Sequence, residues 1–324
     1  MPPGRLPSRD ASPAAAVGIV VPAFNAAPFI ADALAGLGRQ SVGDWRAVVV
    51  DDGSTDATAA IVAACPDPRI SLLRQPNQGV AVARNRGAAA LDAEAILFLD
   101  ADDWLAEDAL ARLMAGLRQA PDAVACAGPY AFVRPEARPD RPVVDRAGGP
   151  PPSGAILDAL LGGNLFSNGG HVLVRADAFR ATQGYRPGLA FGEDYDLWVR
   201  LALLGPFAAV QGMAPLLFVR RPPTGAFRRM AHDPSAHGAC LDAIFANPAL
   251  AAALGGRLDA ARRRAEAGNW WIVGRELLRT GQRREGRAAL RRSLATAPSL
   301  RRALLALVGH VAPGLSDQFR PYAS

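Results

Sequence analysis

Lysine is absent from this sequence. All 36 basic residues of the 324-residue chain are arginine, and with 30 acidic residues the formal net charge is +6. GC-rich codons favour arginine, alanine, glycine and proline, so this bias reflects codon usage as readily as function. The excess positive charge could attract nucleic acid, anionic lipid or a phosphorylated substrate, and charge alone does not choose among these partners.

Cysteine and long apolar runs are also scarce. Cys65, Cys126 and Cys240 are odd in number and far apart, which argues against a disulfide framework or a zinc site and favours a reducing cytoplasm. No apolar run approaches the roughly 18 residues that a membrane-crossing helix needs. Residues 1–16, MPPGRLPSRDASPAAA, lack the apolar centre of a signal peptide and are predicted to be a disordered leader.

Two glycine-rich phosphate-binding motifs are missing as well. No G-x-G-x-x-G follows the first predicted strand, and G-x-x-x-x-G-K-[ST] occurs nowhere. A nicotinamide-dependent oxidoreductase or a P-loop enzyme would therefore lack its phosphate-binding loop. The composition, 50% apolar and 20% charged, is that of a globular protein with room for one large domain and an appendage.

Strands and helices are predicted to alternate over residues 17–103. Runs rich in apolar and β-branched residues predict strands at 17–25 (VGIVVPAFN), 45–50 (WRAVVV), 70–73 and 95–99. Helical spacing predicts helices from Pro28 to Leu37, from a Ser54 or Thr55 cap through Val62, and from 80 to 91. Continuous apolar strands separated by helices indicate a parallel sheet covered on both faces.

The carboxyl ends of three of these strands carry polar clusters, at Pro22–Asn25, Asp51–Asp52 and Asp100–Asp103. In open α/β sheets, ligands bind beyond the carboxyl ends of the strands. Each cluster taken alone could be a helix cap, but three at one edge of a sheet indicate a binding site.

The third cluster is the most acidic. In LFLDADDW, residues 97–104, three carboxylates fall within four positions at the end of a buried strand. Two carboxylates about 4 Å apart repel by roughly 4 kcal/mol at an effective dielectric constant of about 20. Mg²⁺ or Mn²⁺ relieves such repulsion, usually by binding one or two carboxylates together with substrate phosphates. The cluster therefore predicts a divalent metal that bridges to a diphosphate.

Five stretches, in this order, resemble the motifs of family 2 glycosyltransferases: VGIVVPAFN, VVVDDGSTD, NQGVAVARNRG, ILFLDADD and FGEDYDLWVRL. The resemblance implies a GT-A fold, an α/β domain with a mostly parallel central sheet flanked by helices, over residues 17–225. Its nucleotide-binding half would span about 17–103 and its acceptor half about 104–225, followed by a helical region, 226–324.

The resemblance implies a donor site made by the strand ends. Pro22, Ala23 and Asn25 match the end of the first strand, which holds the nucleotide. One carboxylate of DDGSTD, Asp51 or Asp52, would read the uracil edge, and the motif does not choose between them.

Three further residues complete the implied donor site. Arg84, in VAVARN, matches a position that contacts the nucleotide. Asp100 and Asp102 match the DxD motif, the first near the ribose and the second on Mn²⁺ or Mg²⁺, and both are candidate metal ligands. Asp103 either supports them or caps the helix after Trp104.

The acidic pair of FGEDYDLW supplies the catalytic candidate. Glu193 and Asp194 are predicted in the first turn of a helix, where the positive helix end favours carboxylates, so capping alone explains them. The resemblance assigns Asp194 as the general base on the acceptor hydroxyl. Glu193, also a candidate nucleotide-sugar-binding residue, and Asp196 are lesser candidates. A single in-line displacement would invert the anomeric configuration.

The segment before this pair is harder to interpret. Arg134–Pro152 is rich in proline, arginine and glycine and is predicted to be a flexible connection or a loop over the acceptor cleft. HVLVRADAF, residues 171–179, resembles the strand and helix that come just before the acidic pair in the family. Asn168 to Gly170 could approach the donor closely, and His171 is interpreted as a structural residue.

Two departures from the family pattern bear on metal use and product length. Many relatives carry a metal-side histidine, whose place in LFVRRPPTGAF falls on Pro222 or Pro223. Arg220 or Arg221 could meet the diphosphate directly. The QxxRW motif of processive synthases is missing, which favours the transfer of one sugar per encounter.

The C-terminal region is predicted to be helical. Residues 268–299 resemble one tetratricopeptide-like helix pair, with Gly281 at the turn and Pro298 ending the second helix. The arginine-rich stretch Arg283–Leu307 could contact an anionic membrane, although a solvated helix face explains it too. No motif supports nucleic-acid binding.

Together these features predict an inverting, metal-dependent glycosyltransferase. It would move one sugar from a nucleotide-sugar, expected to be a UDP-sugar, to a hydroxyl of a glycan, a lipid-linked acceptor or a protein, in glycan, cell-surface polysaccharide or glycolipid synthesis. The expected location is the cytoplasm, with peripheral contact at the inner face of the membrane. The alternative is a non-catalytic nucleotide-binding or scaffold protein that retains the GT-A fold.

Overall fold

Strand β1, Ala15–Ala23, lies inside the central sheet and pairs with a neighbour on each side. The structure is a computed structural model that describes residues 15–220, 234–300, 302–304 and 307. The chain divides into two compact units. Within the described chain, the sheet unit contains residues 15–156, 166–188 and 200–220, and the helical unit contains residues 157–165, 189–199 and those from 234 onward.

The described strands all belong to the sheet unit. After β1 they are β2 Trp45–Asp52, β3 Ile70–Gln75, β4 Ala93–Phe98, β5 Trp104–Leu105, β6 Ala125–Ala127, β7 Tyr130–Val133, β8 Val144–Ala147, β9 Val172–Arg175, β10 Phe207–Ala209 and β11 Leu217–Arg220. Seven form the central sheet in the order β10-β6-β9-β4-β1-β2-β3, and four form a second sheet in the order β5-β11-β7-β8.

The central sheet is mostly parallel. β1 runs parallel to β2 and β4, β2 to β3, and β6 to β10, whereas β9 is antiparallel to β4 and β6. The predicted α/β sheet is confirmed, with the four predicted strands as β1 to β4, and β9 makes it a mixed sheet.

The strand register brings the predicted polar clusters to one edge. Ala23 is paired with Asp51, and Asp51 with Arg74 on β3. The backbone N–H of Leu99 donates to the carbonyl of Val20 at 2.9 Å, so the acidic cluster that starts at the next residue follows at the same edge. The carboxyl ends of β1, β2 and β4 therefore meet.

The described helices follow the strands in alternation and then fill the C-terminal region. They are α1 Ile30–Gly38, α2 Thr58–Ala63, α3 Val80–Ala89, α4 Ala109–Gln119, α5 Leu157–Leu160, α6 Ala176–Ala181, α7 Glu193–Leu204, α8 Pro234–Phe245, α9 Pro248–Leu254, α10 Leu258–Arg279 and α11 Arg283–Thr296. The three helices predicted before residue 92 are α1, α2 and α3.

The predicted cap of α2 is wrong. The helix begins at Thr58, and the carboxylate of Asp56 accepts a hydrogen bond from the Thr58 backbone N–H at 3.0 Å. Ser54 and Thr55 bind Asn25 instead, because the turn after β1 lies within their reach. The strand end before α1 therefore engages both candidate caps, and neither of them caps α2.

One apolar cluster joins strands β1 and β4 to helices α1 and α4. Ile19, Leu37, Leu97 and Leu110 are fully buried in it. Each such side chain stabilises the fold by roughly 1.5–3 kcal/mol through burial. The carboxyl edge of the sheet is therefore the end of a rigid, packed layer.

The helical unit contains the predicted C-terminal helix pair. α10 and α11 run antiparallel: Trp271, Leu278 and Leu290 form an apolar cluster, and the Ser293 hydroxyl donates to the Ala267 carbonyl at 2.6 Å. Gly281 has a φ of 85° at the turn, and α11 ends before Pro298, as predicted. The first helix of the pair starts ten residues earlier than the resembling segment, at Leu258.

Two further stretches differ from the sequence predictions. Ala15 and Ala16, assigned to the leader, are in β1 because this end of the strand pairs with β4 at Ala93. Part of the Arg134–Pro152 stretch forms β8, which pairs with β7. The domain limit at 225, with Arg221, Pro222 and Pro223, lies outside the described residues and stays a prediction.

Membrane-spanning potential is limited in the described chain. No single described helix is both long and apolar enough to cross a bilayer. The segments His237–Phe245 and Pro248–Arg279, which are bent by 69°, reach that length and composition only as a pair.

Candidate active site

Asn25 fixes the turn that follows β1. Its φ is 50°, a left-handed conformation that asparagine tolerates better than most residues. Its backbone N–H donates to the Ser54 hydroxyl at 2.9 Å, and its side-chain oxygen accepts from the Thr55 backbone N–H at 2.9 Å. Pro22 and Ala23 end β1 just before this turn. Asn25 therefore shapes the edge, with its side-chain oxygen bound to the loop after β2.

Phe24 lies at the same edge of the sheet, and the sequence predictions did not name it. Its side chain is 52% exposed, although it directly follows Ala23, which is buried and paired with Asp51. An exposed aromatic ring beside this polar edge offers a flat apolar surface for a ring-shaped ligand. The signal was available in PAFN, where an aromatic residue stands at a strand end directly before an asparagine.

The two carboxylates of DDGSTD are in different environments, although both are buried. Asp51 accepts from the Ser54 backbone N–H at 3.0 Å and from Nε of Arg74 at 3.2 Å, and the Arg74 side chain is 66% exposed. Asp52 is bound by three donors, listed by distance as Nε2 of Gln75 at 2.7 Å, the Gly79 N–H at 2.8 Å and the Gln78 N–H at 2.9 Å. Asp52 therefore anchors the loop that leads into α3.

Helix α3 brings Arg84 to the acidic cluster. Nη2 of Arg84 donates to Oδ1 of Asp100 at 2.8 Å, and the guanidinium lies 4.9 Å from the centre of the Tyr185 ring. The helix approaches the sheet closely at Gly87, where an added Cβ would lie 2.4 Å from Cγ1 of Val20. The sequence predicted both charged residues but not their pairing.

The pKa of Asp102, one of the predicted donor-site residues, departs clearly from the usual value of a carboxyl group. Burial, and then the nearby charge of Asp100, raise its pKa to about 6, against a smaller opposing effect of Arg220. The ionised form of this half-buried carboxylate is thus less favourable than that of an exposed one. A positive ligand at this position would be stabilised by it.

Asp103 is fully enclosed, with 1% of its surface exposed. Oδ2 accepts from Nδ2 of Asn168 at 2.6 Å, and Oδ1 accepts from the Arg220 backbone N–H at 2.8 Å. Burial and the charges of Asp102 and Asp100 raise its pKa well above the usual range. Asp103 does not cap a helix directly after Trp104, because α4 begins at Ala109, and its two oxygens bind Asn168 and Arg220.

Arg220 points inward, so the prediction that it could meet the diphosphate is wrong. Its Nη2 donates to Oδ2 of Asp32 at 2.7 Å and to the Ala137 carbonyl at 2.8 Å, and its Nη1 donates to the Asp102 carbonyl at 2.9 Å. The guanidinium centre also lies 4.8 Å from the centre of the Trp104 ring. These contacts leave the side chain fully buried.

The carboxylates of the acidic cluster fit a metal that is shared with a ligand. In the described part of the chain, no group of three His, Cys, Asp or Glu side chains could hold a metal ion. Asp100 and Asp102 supply hard oxygen donors, and a cation there would offset the burial and the repulsion from Asp100 that raise the pKa of Asp102. Mg²⁺ commonly binds one or two carboxylates and the phosphates of a substrate. The donor set matches that arrangement.

The helical unit holds the second acidic pair. Glu193 and Asp194 are half-buried in the first turn of α7. Oδ2 of Asp194 accepts from Nδ2 of Asn164 at 3.2 Å, and Oδ1 accepts from the Tyr195 backbone N–H at 2.7 Å. Asp196 has 1% of its surface exposed, which makes it a poor candidate for a base on an entering substrate.

His171 is a structural residue, as predicted. It ends a short 3₁₀ helix, Gly169–His171, just before β9. Nδ1 donates to the Gly128 carbonyl at 2.7 Å, and Nε2 accepts from the Ser167 backbone N–H at 3.1 Å. Burial lowers its pKa to about 4, so the ring is neutral.

Comparison with known families identifies the family of this chain. The family model described as Glycosyl transferase family 2 matches residues 18–181, just over half of the chain. The chain belongs to glycosyl transferase family 2. The predicted family and the predicted enzyme class, a glycosyltransferase, are confirmed at this level.

Curated bacterial relatives match a shorter part of this family 2 chain. A putative glycosyltransferase EpsH of Bacillus subtilis is 33% identical over 113 residues, which is 34% of this chain and 33% of the relative. The succinoglycan biosynthesis protein ExoO of Rhizobium meliloti is 42% identical over 99 residues, which is 30% of this chain and 28% of the relative. The chain thus spans about a third of the length of the curated relatives it matches.

Solved structures share the fold over most of the chain. The mannosyltransferase PcManGT of Pyrobaculum calidifontis, in complex with GDP-Man and Mn²⁺, has a TM-score of 0.58 at 21% identity and covers 97% of this chain and 84% of its own. TarS 1–349 of S. aureus, in complex with UDP-GlcNAc, has a TM-score of 0.55 at 15% identity and covers 91% of each chain. The predicted GT-A fold is confirmed.

Proposed function

We propose that this family 2 protein is an inverting, metal-dependent glycosyltransferase that moves one sugar from a nucleotide-sugar to a hydroxyl acceptor. The observation that carries the proposal is the meeting of three polar strand ends, where Arg84 pairs with Asp100 and the half-buried Asp102 follows. The carboxyl edge of an open α/β sheet is where such folds bind ligands. A UDP-sugar is the expected donor.

Asp51 is the proposed carboxylate for the uracil edge. One of its oxygens is held only by the exposed side chain of Arg74, which can move away when a ligand arrives. Asp52 has both oxygens bound by the loop before α3. The exposed ring of Phe24 would stack on the base, because aromatic faces bind flat rings well.

The diphosphate is proposed to lie at the acidic cluster. Asp100 and Asp102 would hold Mn²⁺ or Mg²⁺ together with the phosphate oxygens. When bound, the ion stabilises the negative charge that develops on the departing nucleoside diphosphate. Arg84 orients Asp100 and adds a fixed positive charge near the same place. Pro22, Ala23 and the turn fixed by Asn25 would line the nucleoside.

Asp194 is the proposed general base. The Tyr195 N–H and the Asn164 amide bind its two oxygens and so orient the carboxylate. It would take the acceptor hydroxyl proton while that oxygen attacks the anomeric carbon. One displacement without a covalent sugar intermediate inverts the anomeric configuration. Glu193, in the same turn, is assigned to the nucleotide-sugar.

The class of acceptor is proposed from the relatives. The matched relatives include proteins named for succinoglycan biosynthesis and for PGL/p-HBAD biosynthesis, which favours polysaccharide or glycolipid synthesis here. A glycan, a lipid-linked acceptor or a protein hydroxyl would serve. We also propose peripheral contact of a cytoplasmic protein with an anionic membrane, because the arginine-rich stretch 283–307 contains three exposed leucines: Leu300, Leu304 and Leu307.

Calorimetric titration of UDP with and without Mn²⁺ tests the donor site. Wild type should bind UDP more tightly with Mn²⁺, and Asp102→Ala should lose that gain while keeping its metal-free affinity. GDP and dTDP, run in the same way, identify the base. If wild type binds none of the three nucleotides, the proposed function is wrong.

Turnover separates the enzyme from a binding protein that retains the fold. Hydrolysis of a UDP-sugar, or transfer of its sugar to an acceptor, should be abolished in Asp194→Asn, with UDP affinity unchanged. The matched control is Asp242→Asn, an exposed carboxylate on α8 of the same unit. Normal turnover by Asp194→Asn would remove this residue from the base role.

A further inference from the structure

The acidic turn, Asp100–Asp103, is held by residues distant in sequence. The Asp103 backbone N–H donates to the Asp100 carbonyl at 3.1 Å and closes the turn. Asn168, 65 positions away, donates to one oxygen of Asp103, and the backbone of Arg220, 117 positions away, donates to the other. Nη1 of Arg220 binds the Asp102 carbonyl at 2.9 Å. The backbone of residues 102 and 103 is thereby fixed from two directions.

The amide of Asn168 has one possible orientation. Its Oδ1 accepts from the Gly170 backbone N–H at 2.9 Å, so Nδ2 must face Asp103. The loop that carries it lies directly on the end of β4: an added Cβ at Gly169 would be 2.8 Å from the Phe98 carbonyl oxygen. This loop is therefore a fixed support for the turn that follows β4.

Asp103 is an unusual choice for a purely structural residue. It is a buried carboxylate next to two others, and burying like charges together is costly. At 1% and 9% exposure, Asp103 and Asn168 are closed off from a ligand in the cleft. The Asp103 backbone N–H binds the Asp100 carbonyl, and Arg220, which binds Asp103, also binds the Asp102 carbonyl. Asp100 and Asp102 are the residues with hard oxygen donors.

We propose that Asp103 and Asn168 form a positioning pair that sets the geometry of Asp100 and Asp102 for binding a metal-bound diphosphate. Neither residue touches the ligand. This inference rests on the proposed function, since it assigns the acidic turn to a diphosphate and its metal.

The pair offers an exchange test. Asp103→Asn places an amide N–H opposite the N–H of Asn168, and Asn168→Asp places two carboxylates face to face. Combining both changes restores an N–H···O bond between the same two positions with reversed polarity. The carboxylate at 168 can still accept from Gly170, and the amide oxygen at 103 can still accept from Arg220.

The measured quantity is the gain in UDP affinity that Mn²⁺ provides, obtained by calorimetry at a temperature where every variant is folded. In each single variant this gain should be smaller than in wild type by a factor of about ten or more, the usual effect of removing a group that orients metal ligands. The combined variant should return to within about threefold of wild type, because the hydrogen bond is restored. UDP affinity without Mn²⁺ should change by less than about twofold, since the nucleoside contacts lie elsewhere.

Arg175→Met is the matched control for lost stability. Arg175 makes side-chain bonds to the carbonyls of Ala123 and Leu117, and it is paired with Ala95 near the start of β4. It belongs to the same unit but lies away from the acidic turn. This variant should be less stable yet keep the full Mn²⁺ gain. An equal loss in Arg175→Met, or no recovery in the combined variant, would overturn the positioning role.

Hydrogen–deuterium exchange of the peptide spanning residues 99–105 gives a second readout that needs no ligand. Its protection should fall in Asp103→Asn and recover in the combined variant, even if Asn168→Asp does not fold. If wild type binds no nucleoside diphosphate, the proposed function fails. Hydrogen–deuterium exchange alone then tests whether Asp103 and Asn168 hold the acidic turn in place. Unchanged protection in Asp103→Asn would then overturn the inference.

Discussion

Arg84 donates from Nη2 to Oδ1 of Asp100 at 2.8 Å, which joins helix α3 to the turn that follows β4. The Arg84 side chain is 5% exposed and that of Asp100 is 28% exposed. A charged pair at the rim of a buried edge is screened less by solvent than a pair on the open surface. The pair gives the proposed diphosphate site a fixed positive charge and a fixed carboxylate.

Replacing Arg84 with methionine should weaken UDP binding in the presence of Mn²⁺ by about tenfold or more, because hydrogen bonds to charged groups contribute roughly 1.5–3 kcal/mol. Arg84→Lys keeps the charge without the planar guanidinium and should be intermediate. Calorimetry with UDP and Mn²⁺ measures both. The control is Arg180→Met, an exposed arginine on α6. Wild-type affinity in Arg84→Met would contradict the assignment.

Asp51 and Asp52 should respond differently to the same change. Asp52→Asn sets an amide among the Gln75, Gln78 and Gly79 donors, and we expect it to lower the free energy of unfolding by about 1–3 kcal/mol. Asp51→Asn should mainly lower UDP affinity. Urea denaturation and calorimetry on both variants give the comparison. The reverse pattern would assign base recognition to Asp52.

The packing of α3 on the sheet should tolerate no added methyl group. Gly87→Ala would place Cβ 2.4 Å from Cγ1 of Val20, and overpacking of this kind costs about 1–3 kcal/mol of stability. Gly38→Ala, at the end of α1, meets nothing within 4 Å and should change stability by less than about 1 kcal/mol. Urea denaturation checks both. Because Arg84 lies on the same helix, Gly87→Ala should also weaken UDP binding.

Buried, neutral His171 should make the sheet unit sensitive to acid. Its pKa is lowered from 6.5 to about 4, so the unfolded chain gains a proton before the folded one does. This stabilising contribution is complete above pH 6.5 and is lost as the pH falls through 4. The loss is roughly 3 kcal/mol, at about 1.4 kcal/mol per pKa unit.

Comparison with His171→Gln isolates this effect, since glutamine can bind the same two backbone groups without titrating. Pulsed labelling of the buried Cys126 thiol, resolved by peptide mass, reports unfolding of this unit at each pH. Wild type should lose stability relative to the variant between pH 6.5 and pH 4. Parallel pH dependences in the two proteins would show that His171 does not titrate between the states.

Sequence alone determined the strands that frame the proposed donor site. The apolar runs of β1, β2 and β4 each end in polar residues, and parallel strands place their carboxyl ends at one edge. This periodicity is local, so it can be read without a structure. The family motifs in the same order identified the candidate donor residues for the same reason. The helix pair around Gly281 was equally local.

Tertiary structure decided which partner each polar residue takes. Asp103 is bound by Asn168 and Arg220, residues 65 and 117 positions away, and no local pattern predicts such contacts. Arg220 or Arg221 was predicted to be able to meet the diphosphate, but the Arg220 side chain is buried and donates to Asp32. The chain's own periodicity sets where a strand ends and which face is apolar. The direction of a charged side chain at that end depends on which distant groups packing brings within hydrogen-bond distance.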